Sequence, residues 1–166
     1  MPKILFIIAP QGYQDFEYEE PKRVLEKKGH EVITASTTQQ ATGSLGGSTQ
    51  TDLLITEADP NNYDAIAFIG GPGSPIYFEN QTAHELARNF HEAQKPTCAI
   101  CAAPIILGKA GLLRDKKATC YPGGADQLKA TGANYTAKSI EKDGLLITAD
   151  GPSSAKKFGK VIAKNL

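Results

Sequence analysis

The sequence of 166 residues predicts an α/β fold, with a mostly parallel central sheet and helices on both of its faces. Strand-like apolar runs alternate with helix-like patterns along the chain. The first run, Lys3–Ala9, is unbroken after its lysine, as expected for a strand buried on both faces. Such alternation builds right-handed βαβ units, which form parallel sheets. Neither a repeat nor a linker divides the chain, so a single domain over residues 1–166 is expected.

The first half of the chain continues with one helix, one strand and a polar segment. A helix is expected over Glu19–Lys28, with Pro21 in its first turn and Gly29 as its stop signal. Glu31–Ala35 is then the second strand. Residues 39–50 are rich in Gly, Ser, Thr and Gln and almost free of apolar side chains. That segment is expected to be a loop or a pair of short edge strands.

The second half follows the same alternation. A third apolar run covers Ala65–Ile69, and Asn80 can cap a helix whose apolar residues recur on one face. The hairpin near the end rests on the turn signal Lys142-Asp143-Gly144. The later elements are, in order, strand Pro96–Ile100, a short helix Ala103–Ala110, strand Lys117–Cys120, helix Asp126–Ala130, the hairpin strands Ser139–Glu141 and Leu145–Thr148, and a helix capped by Ser153 that reaches Asn165.

Charge and composition argue against several classes of protein. Eighteen basic residues balance eighteen acidic ones, so the chain lacks the electrostatic footprint of a nucleic-acid binder. Neither a signal peptide nor an apolar run of about 20 residues is present, which argues against a membrane partner. Three cysteines are too few for a disulfide scaffold, so the cytoplasm is the expected location.

The spacing of the histidines and glycines predicts neither a metal nor a cofactor. His30, His84 and His91 are scattered and have no zinc-site spacing. His84 and His91 share a predicted helix and are expected to face solvent or a partner. The G-x-x-x-x-G-K-[ST] and G-x-G-x-x-G motifs of phosphate and dinucleotide sites are absent.

Cys101 is the first candidate for chemistry. It lies at a predicted strand-to-helix junction between Ala99 and Ala103, in a small-x-nucleophile-x-small pattern typical of a nucleophile elbow. Amides at the start of the next helix would lower its pKa below the free-thiol value of about 8.5. The alternative is a buried, inert cysteine.

Two further segments end at the same predicted edge of the sheet. The glycines in Ile69-Gly70-Gly71-Pro72-Gly73 would let the backbone approach a ligand, and the amides of Gly71 and Ala102 could form an oxyanion hole. An ordinary turn is the alternative for this loop. Glu17, expected just before the first helix, could turn toward the site, and its pKa would be raised beside a thiolate.

Three more residues near these segments remain open. Cys98 and Cys101 have the C-x-x-C spacing of redox motifs, but Cys98 lies inside a predicted strand and is assigned to the core. Cys120 either approaches the site or points away from it. Gly70 and Tyr121 are possible site contacts, although a packed tyrosine is an equal alternative for the second.

Five segments carry a resemblance to a known family: GYQDFE at 12–17, FIGGPG at 68–73, AICAAP at 99–104, KATCYP at 117–122 and EKDGLLIT at 141–148. Together they resemble the ThiJ/PfpI superfamily over essentially the whole chain. That superfamily includes archaeal intracellular peptidases, glyoxalase-like enzymes and the human parkinsonism-associated deglycase. The resemblance implies a flavodoxin-like three-layer sandwich and a homodimer or higher homo-oligomer. It also implies Cys101 as nucleophile, Glu17 as its carboxyl partner, and Gly71 and Ala102 as oxyanion amides.

Two departures from the family pattern reduce the number of activities that are expected. Peptidase-like members have a histidine directly after the nucleophile, where this chain has Ala102. The human deglycase branch has a histidine before a proline, where this chain has Tyr121 before Pro122. An amide leaving group needs a proton donor, and histidine is the usual one. Glyoxalase- or deglycase-like chemistry on small reactive carbonyls is therefore favoured, a cysteine-oxidation sensor or stress-response protein is the alternative, and a cysteine peptidase is least favoured.

Overall fold

The computed structural model describes all residues from 1 to 166. Its strands are β1 (Lys3–Ile7), β2 (Gln11–Tyr13), β3 (Glu31–Ser36), β4 (Gln40–Gly43), β5 (Ser48–Gln50), β6 (Leu53–Leu54), β7 (Ala65–Phe68), β8 (Thr97–Ile100), β9 (Lys117–Ala118), β10 (Asn134–Tyr135), β11 (Ile140–Asp143) and β12 (Leu146–Ala149). Its α-helices are α1 (Asp15–Lys27), α2 (Gln81–Glu92), α3 (Pro104–Lys109), α4 (Ala125–Ala130) and α5 (Ala155–Lys164).

Seven strands form the central sheet in the order β11-β12-β8-β7-β1-β3-β6. All neighbouring pairs are parallel except the β11–β12 hairpin at one edge. Strand β1 lies between β3 and β7 in this order, and its Ile4 pairs with Val32 of β3 on one side and with Ala65 of β7 on the other. Residues 4–9 are buried because helices cover both faces of the sheet. The predicted α/β class and flavodoxin-like sandwich are confirmed.

The helices divide between the two faces. The chain winds outward from β1 in both directions, and right-handed crossovers then place α1 and α5 on one face and α2 and α3 on the other. On the first face, α1 and α5 approach closely at Pro21 and Gly159. A Cβ at Gly159 would lie 2.7 Å from Pro21 Cα. None of the helices combines the length and the apolar character that crossing a bilayer requires.

The polar segment 39–50 forms a pair of short strands, which is one of the two structures expected for it. β4 and β5 are an antiparallel pair, and β4 also pairs with β2 in a separate small sheet. Asp15 holds the turn between them, since its carboxylate accepts hydrogen bonds from the amides of Leu45 (3.2 Å) and Gly47 (2.8 Å). The segment has little apolar surface to bury, so this buried carboxylate organises it instead.

Three local expectations were wrong. The first helix begins at Asp15 rather than Glu19, because the Gln14 side chain caps it, so Pro21 lies inside the helix. The terminal helix starts at Ala155 after a short 3₁₀ turn, and Ser153 does not cap it. His84 is 5% exposed rather than facing solvent, since its Nε2 lies 2.7 Å from the carbonyl oxygen of Phe78.

Candidate functional site

The carboxyl ends of β1, β7 and β8 meet at one edge of the sheet, as in other open α/β sheets. The loop after β1 is joined to the loop after β7 by two backbone hydrogen bonds. The Gln14 amide donates to the Gly70 carbonyl oxygen at 2.9 Å, and the Gly73 amide donates to that of Gly12 at 2.9 Å. The structure therefore brings the segments 12–17, 70–73 and 99–104 together.

Cys101 has the backbone conformation of a nucleophile elbow. Its φ of 65° lies in the left-handed region, which costs a non-glycine residue roughly 1–2 kcal/mol. Two hydrogen bonds hold it there: its amide donates to the Ala149 carbonyl oxygen, and its own carbonyl accepts from the Tyr121 amide, both at 2.9 Å. Ala99 and Ala103 are both fully buried, so the packed turn has room only for small flanking residues. Cys101 itself is half-buried.

Glu17 lies in the first turn of α1 and is fully buried. It does not precede the helix, as the sequence suggested, yet the helix start still directs it toward Cys101. Gln14 Oε1 accepts a hydrogen bond from the Glu17 amide at 2.8 Å. Glu17 Oε1 accepts one from the Gly70 amide at 3.1 Å, whereas Oε2 is buried and has no partner of normal hydrogen-bond geometry.

The carboxyl and the thiol influence each other's protonation. Burial raises the pKa of Glu17 to about 7, even though the nearby Cys101 thiol and the Gly70 amide favour the carboxylate. Burial and then the charge of Glu17 raise the pKa of Cys101 to about 12, which outweighs a hydrogen bond from the Ala102 amide. The direction of the Glu17 pKa shift agrees with the sequence-based expectation, but its cause is burial rather than a neighbouring thiolate.

The expectation of a lowered thiol pKa is contradicted. α3 begins only at Pro104 and has six residues, so its dipole is weak and its first residue has no N–H to offer. Burial and the neighbouring carboxylate dominate instead. The two groups therefore titrate as one coupled site, in which negative charge on Glu17 disfavours the thiolate of Cys101.

Gly70 lies so close to Glu17 and Cys101 that a side chain at this position would overlap both residues. A Cβ at this position would lie 2.6 Å from Glu17 Oε1 and 2.7 Å from Cys101 Cβ. The next residue, Gly71, has a φ of 118°, which glycine adopts without strain. Neither the Gly71 amide nor the Ala102 amide donates to a backbone oxygen, and the Ala102 amide hydrogen-bonds the Cys101 sulfur instead.

The other cysteines and Tyr121 have distinct places. Cys98 is fully buried inside β8, which confirms its assignment to the core. Cys120 is also fully buried, and its thiol donates to the Tyr121 carbonyl oxygen at 3.2 Å. Cys120 is close enough to Cys101 for its charge to raise the pKa of Cys101 further. The Tyr121 ring lies over Gly123 and Gly124, while its amide contacts the elbow.

Sequence reasoning missed two residues that position the site. Gln14 both caps α1 and joins the first loop to Gly70. Ser74 is fully buried, and its hydroxyl donates to the Gly71 carbonyl oxygen at 2.8 Å. A polar residue directly after the glycine-rich loop was the available signal for Ser74. No group of three or more His, Cys, Asp or Glu side chains is arranged to hold a metal ion.

Comparisons with known proteins identify the family of this chain. The model of the DJ-1/PfpI family matches residues 2–165. An uncharacterized protein of Methanocaldococcus jannaschii is 39% identical, over 98% of this chain and 83% of its own, and the deglycase PfpI of Pyrococcus furiosus is 34% identical, over 90% of both. The crystal structure of a ThiJ/PfpI domain protein from Brachyspira murdochii superposes with a TM-score of 0.95 at 31% identity, over 98% of this chain and 94% of the other. The elbow, the fold and these relatives together show that the chain belongs to the DJ-1/PfpI family.

Proposed function

We propose that this protein converts small reactive carbonyl compounds such as ketoaldehydes, with Cys101 as the nucleophile and Glu17 as its general acid and base. The supporting observation is the buried Glu17 carboxyl, whose pKa is raised to about 7 beside the thiol. A group that ionises near the working pH both accepts and returns a proton efficiently. The deglycase name of the Pyrococcus furiosus relative supports carbonyl chemistry in the same class.

The first step is addition to the aldehyde. The Cys101 thiol passes its proton to the Glu17 carboxylate as sulfur bonds to the aldehyde carbon. The Gly71 and Ala102 amides, which have no backbone acceptor, hydrogen-bond the oxygen that gains negative charge. Glu17 then gives its proton to that oxygen, which yields a hemithioacetal and restores the carboxylate.

The second step moves a proton between neighbouring carbons. Glu17 removes the proton from the former aldehyde carbon and returns one to the adjacent carbon, while the hydroxyl proton on the former aldehyde carbon moves to the oxygen of the adjacent carbon. These two shifts turn the hemithioacetal into a thioester. Water then cleaves the thioester, releasing the hydroxyacid and the free thiol. Overall, methylglyoxal and one water give lactic acid, so no external oxidant or reductant is consumed.

Peptide cleavage is the less favoured activity. Ala102 and Tyr121 occupy the two positions where family members have histidines. His84, on α2, contacts the Phe78 carbonyl oxygen instead. Without a histidine at the elbow, an amine leaving group lacks the residue that usually protonates it in cysteine and serine peptidases.

Lactate formation from methylglyoxal, in thiol-free buffer, tests the proposal. Cys101→Ala should abolish turnover, because no covalent adduct can form. Glu17→Gln keeps the shape of the side chain but not its proton, so turnover should fall about 10²–10⁴-fold while carbonyl binding remains. Release of a fluorogenic amide should be negligible in every variant.

Two outcomes of this assay would contradict the proposal. Normal turnover in Glu17→Gln would remove the carboxyl from the mechanism, and cysteine-dependent amide cleavage would establish a peptidase. Cys98→Ala is the matched control, since it removes a thiol that is buried in β8.

A cysteine-oxidation sensor is the second candidate. Cys101 is the one cysteine that is not fully buried. The unpartnered Oε2 of Glu17, when protonated, could donate to an oxidised sulfur. Both proposals need a reduced Cys101, which fits a cytoplasmic location and the three free thiols. A stable oxidised Cys101 without turnover on ketoaldehydes would favour the sensor.

A further inference from the structure

A groove rich in positive charge runs beside the close approach of α1 and α5. Its volume is about 330 Å³. One apolar side chain, Val24, contributes to its lining, and the other six lining residues are cations. They are Arg23, Lys27, Lys28, Lys156, Lys160 and Lys164.

The two helices arrange these cations in rows. α1 and α5 each follow a parallel strand of the sheet, so both start at the carboxyl edge and run in the same direction. Lys156, Lys160 and Lys164 recur every four residues, about 6 Å apart along one face of α5. Arg23 and Lys27 have the same spacing on α1. The groove therefore lies between two lines of positive charge.

Little negative charge compensates these cations. All six are exposed, and no carboxylate lines the groove. Arg23 pairs with Glu20, but none of the five lysines takes part in an ion pair. Six positive side chains therefore gather in one groove of a chain whose net charge is zero.

Helix termini explain only part of this arrangement. Lys27 and Lys164 lie in the last turns of their helices, where a cation is favourable to the helix dipole. Arg23, Lys156 and Lys160 lie before those last turns, and Lys156 is near the start of α5, where a cation is unfavourable. Helix stability does not account for them.

We propose that this groove binds a linear chain of phosphate groups, as in an inorganic oligophosphate or a small polyphosphorylated metabolite. Lysine ammonium groups are flexible point charges that bind phosphate without demanding one geometry. The lining has no aromatic side chain on which a base would stack, which disfavours single-stranded nucleic acid. A protein partner would need apolar anchors, and the lining offers only Val24.

The groove is separate from the candidate active site. Glu17 is in the first turn of α1, whereas Arg23 and Lys27 lie six and ten residues further along. At about 1.5 Å per residue, they are roughly 9–15 Å away along the helix axis. Oligophosphate binding is thus independent of the carbonyl chemistry proposed above.

Isothermal titration of the full chain with tripolyphosphate tests the proposal. The double variant Lys156→Glu/Lys160→Glu reverses two charges in the groove, and we expect it to weaken binding at least about tenfold. The matched control, Lys116→Glu/Lys142→Glu, changes the net charge equally at exposed lysines outside the groove, and its affinity should stay within about twofold. Added salt should weaken binding to the wild type.

Several outcomes would overturn the proposal. One is the absence of tripolyphosphate binding at low salt, and another is an equal loss of affinity in the control. A poly-glutamate peptide that binds as tightly, with the same dependence on Lys156 and Lys160, would assign the groove to acidic proteins. A mass by light scattering that falls in the groove variant but not in the control would assign it to contact between copies of this chain.

Discussion

The residue that depends most on its surroundings is Glu17. An ordinary glutamate at the start of a helix stays ionised above pH 4.5 and stabilises the helix dipole. Here burial raises its pKa to about 7, so at neutral pH it is poised between acid and base. The same burial that suits it to proton transfer makes it a burden on stability when it is ionised.

The cost of that burial should appear in the pH dependence of stability. Because the folded pKa of about 7 is above the ordinary 4.5, the stability present below pH 4.5 is lost as pH rises to about 7. The shift corresponds to about 3 kcal/mol. Glu17→Gln cannot ionise, so chemical denaturation should show it more stable than the wild type at pH 8 by up to that amount, and little different at pH 4.

An exposed glutamate provides the control for this measurement. Glu85 lies on the outside of α2, so Glu85→Gln should follow the wild type at both pH values. An equal pH dependence in the wild type and in Glu17→Gln would show that the Glu17 carboxyl ionises in the folded protein as it does in the unfolded chain.

Cys101 should be the first cysteine that peroxide oxidises, and the product should be a sulfinate. Cys98 and Cys120 are fully buried and therefore protected, although the raised pKa of Cys101 slows its own oxidation. A protonated Glu17 beside it can hydrogen-bond the sulfinate and hinder further oxidation. Peptide mass spectrometry after mild peroxide treatment identifies the site. Earlier oxidation at Cys120, or a disulfide between Cys98 and Cys101, would contradict this expectation.

At the scale of elements, short loops position the site more than long helices do. The loops after β1 and β7 are joined by the hydrogen bonds of Gln14 and Gly73. The loop after β8 is fixed through Ala149 and Tyr121. Gly70 lies between these loops, and its lack of a side chain is essential there. A methyl group at this position would overlap both Glu17 and Cys101.

Gly70→Ala should therefore disrupt the site locally. Its Cβ would force Glu17 and Cys101 apart, and overpacking of this kind typically costs about 1–3 kcal/mol. We expect a loss of carbonyl turnover together with a lower unfolding temperature. Gly151→Ala is the matched control, because a Cβ there would meet no atom within 4 Å and its φ of 162° is extended. Full activity in Gly70→Ala would show that the two catalytic candidates need not be in contact.

The β4–β5 hairpin depends on one buried carboxylate. Asp15→Ala removes the acceptor for the Leu45 and Gly47 amides, and the loss of a partly exposed hydrogen bond typically costs about 0.5–1.5 kcal/mol. We expect faster hydrogen exchange over residues 43–50, with little change in β1 or β7. If the exchange rates of the variant equal those of the wild type at every residue, the pairing of β2 with β4 is sufficient to hold the hairpin.

At the scale of the whole molecule, we expect self-association. Three large apolar side chains near the site edge are at least half exposed: Phe16 at 53%, Leu45 at 62% and Ile76 at 50%. Phe16 directly precedes Glu17, and Leu45 is in the turn held by Asp15. Exposed apolar groups of this size are favourable sites for a protein partner.

Light scattering at micromolar concentration should give the mass of a homodimer or a higher oligomer. Phe16→Ser/Ile76→Ser should shift the mass toward that of the single chain, because it removes apolar surface that the contact would bury. Leu166→Ser is the control, since it removes an exposed apolar side chain from the C-terminal residue instead. A single-chain mass for the wild type would refute the expectation.

Local patterns of residues were enough to predict several strands of the central sheet and both residues of the candidate pair, Cys101 and Glu17. Unbroken apolar runs predicted β1, β7 and β8, because strands covered on both faces need apolar side chains at every position. The small residues around Cys101 predicted the elbow, since a tight turn excludes larger ones. The apolar runs and the small residues around Cys101 are both local in the sequence. They can therefore be recognised without knowing which elements pack against them.

The pKa values of Cys101 and Glu17, and the residues that hold this pair in place, follow from the packing of the folded chain. The pKa of Cys101 is raised rather than lowered, because burial and Glu17 come from the packing of α1 against the loop after β7. The start of α1, the burial of His84 and the role of Asp15 likewise depend on partners far away in the chain. Desolvation and long-range hydrogen bonds exist only once the chain has folded, so no local pattern of residues can report them.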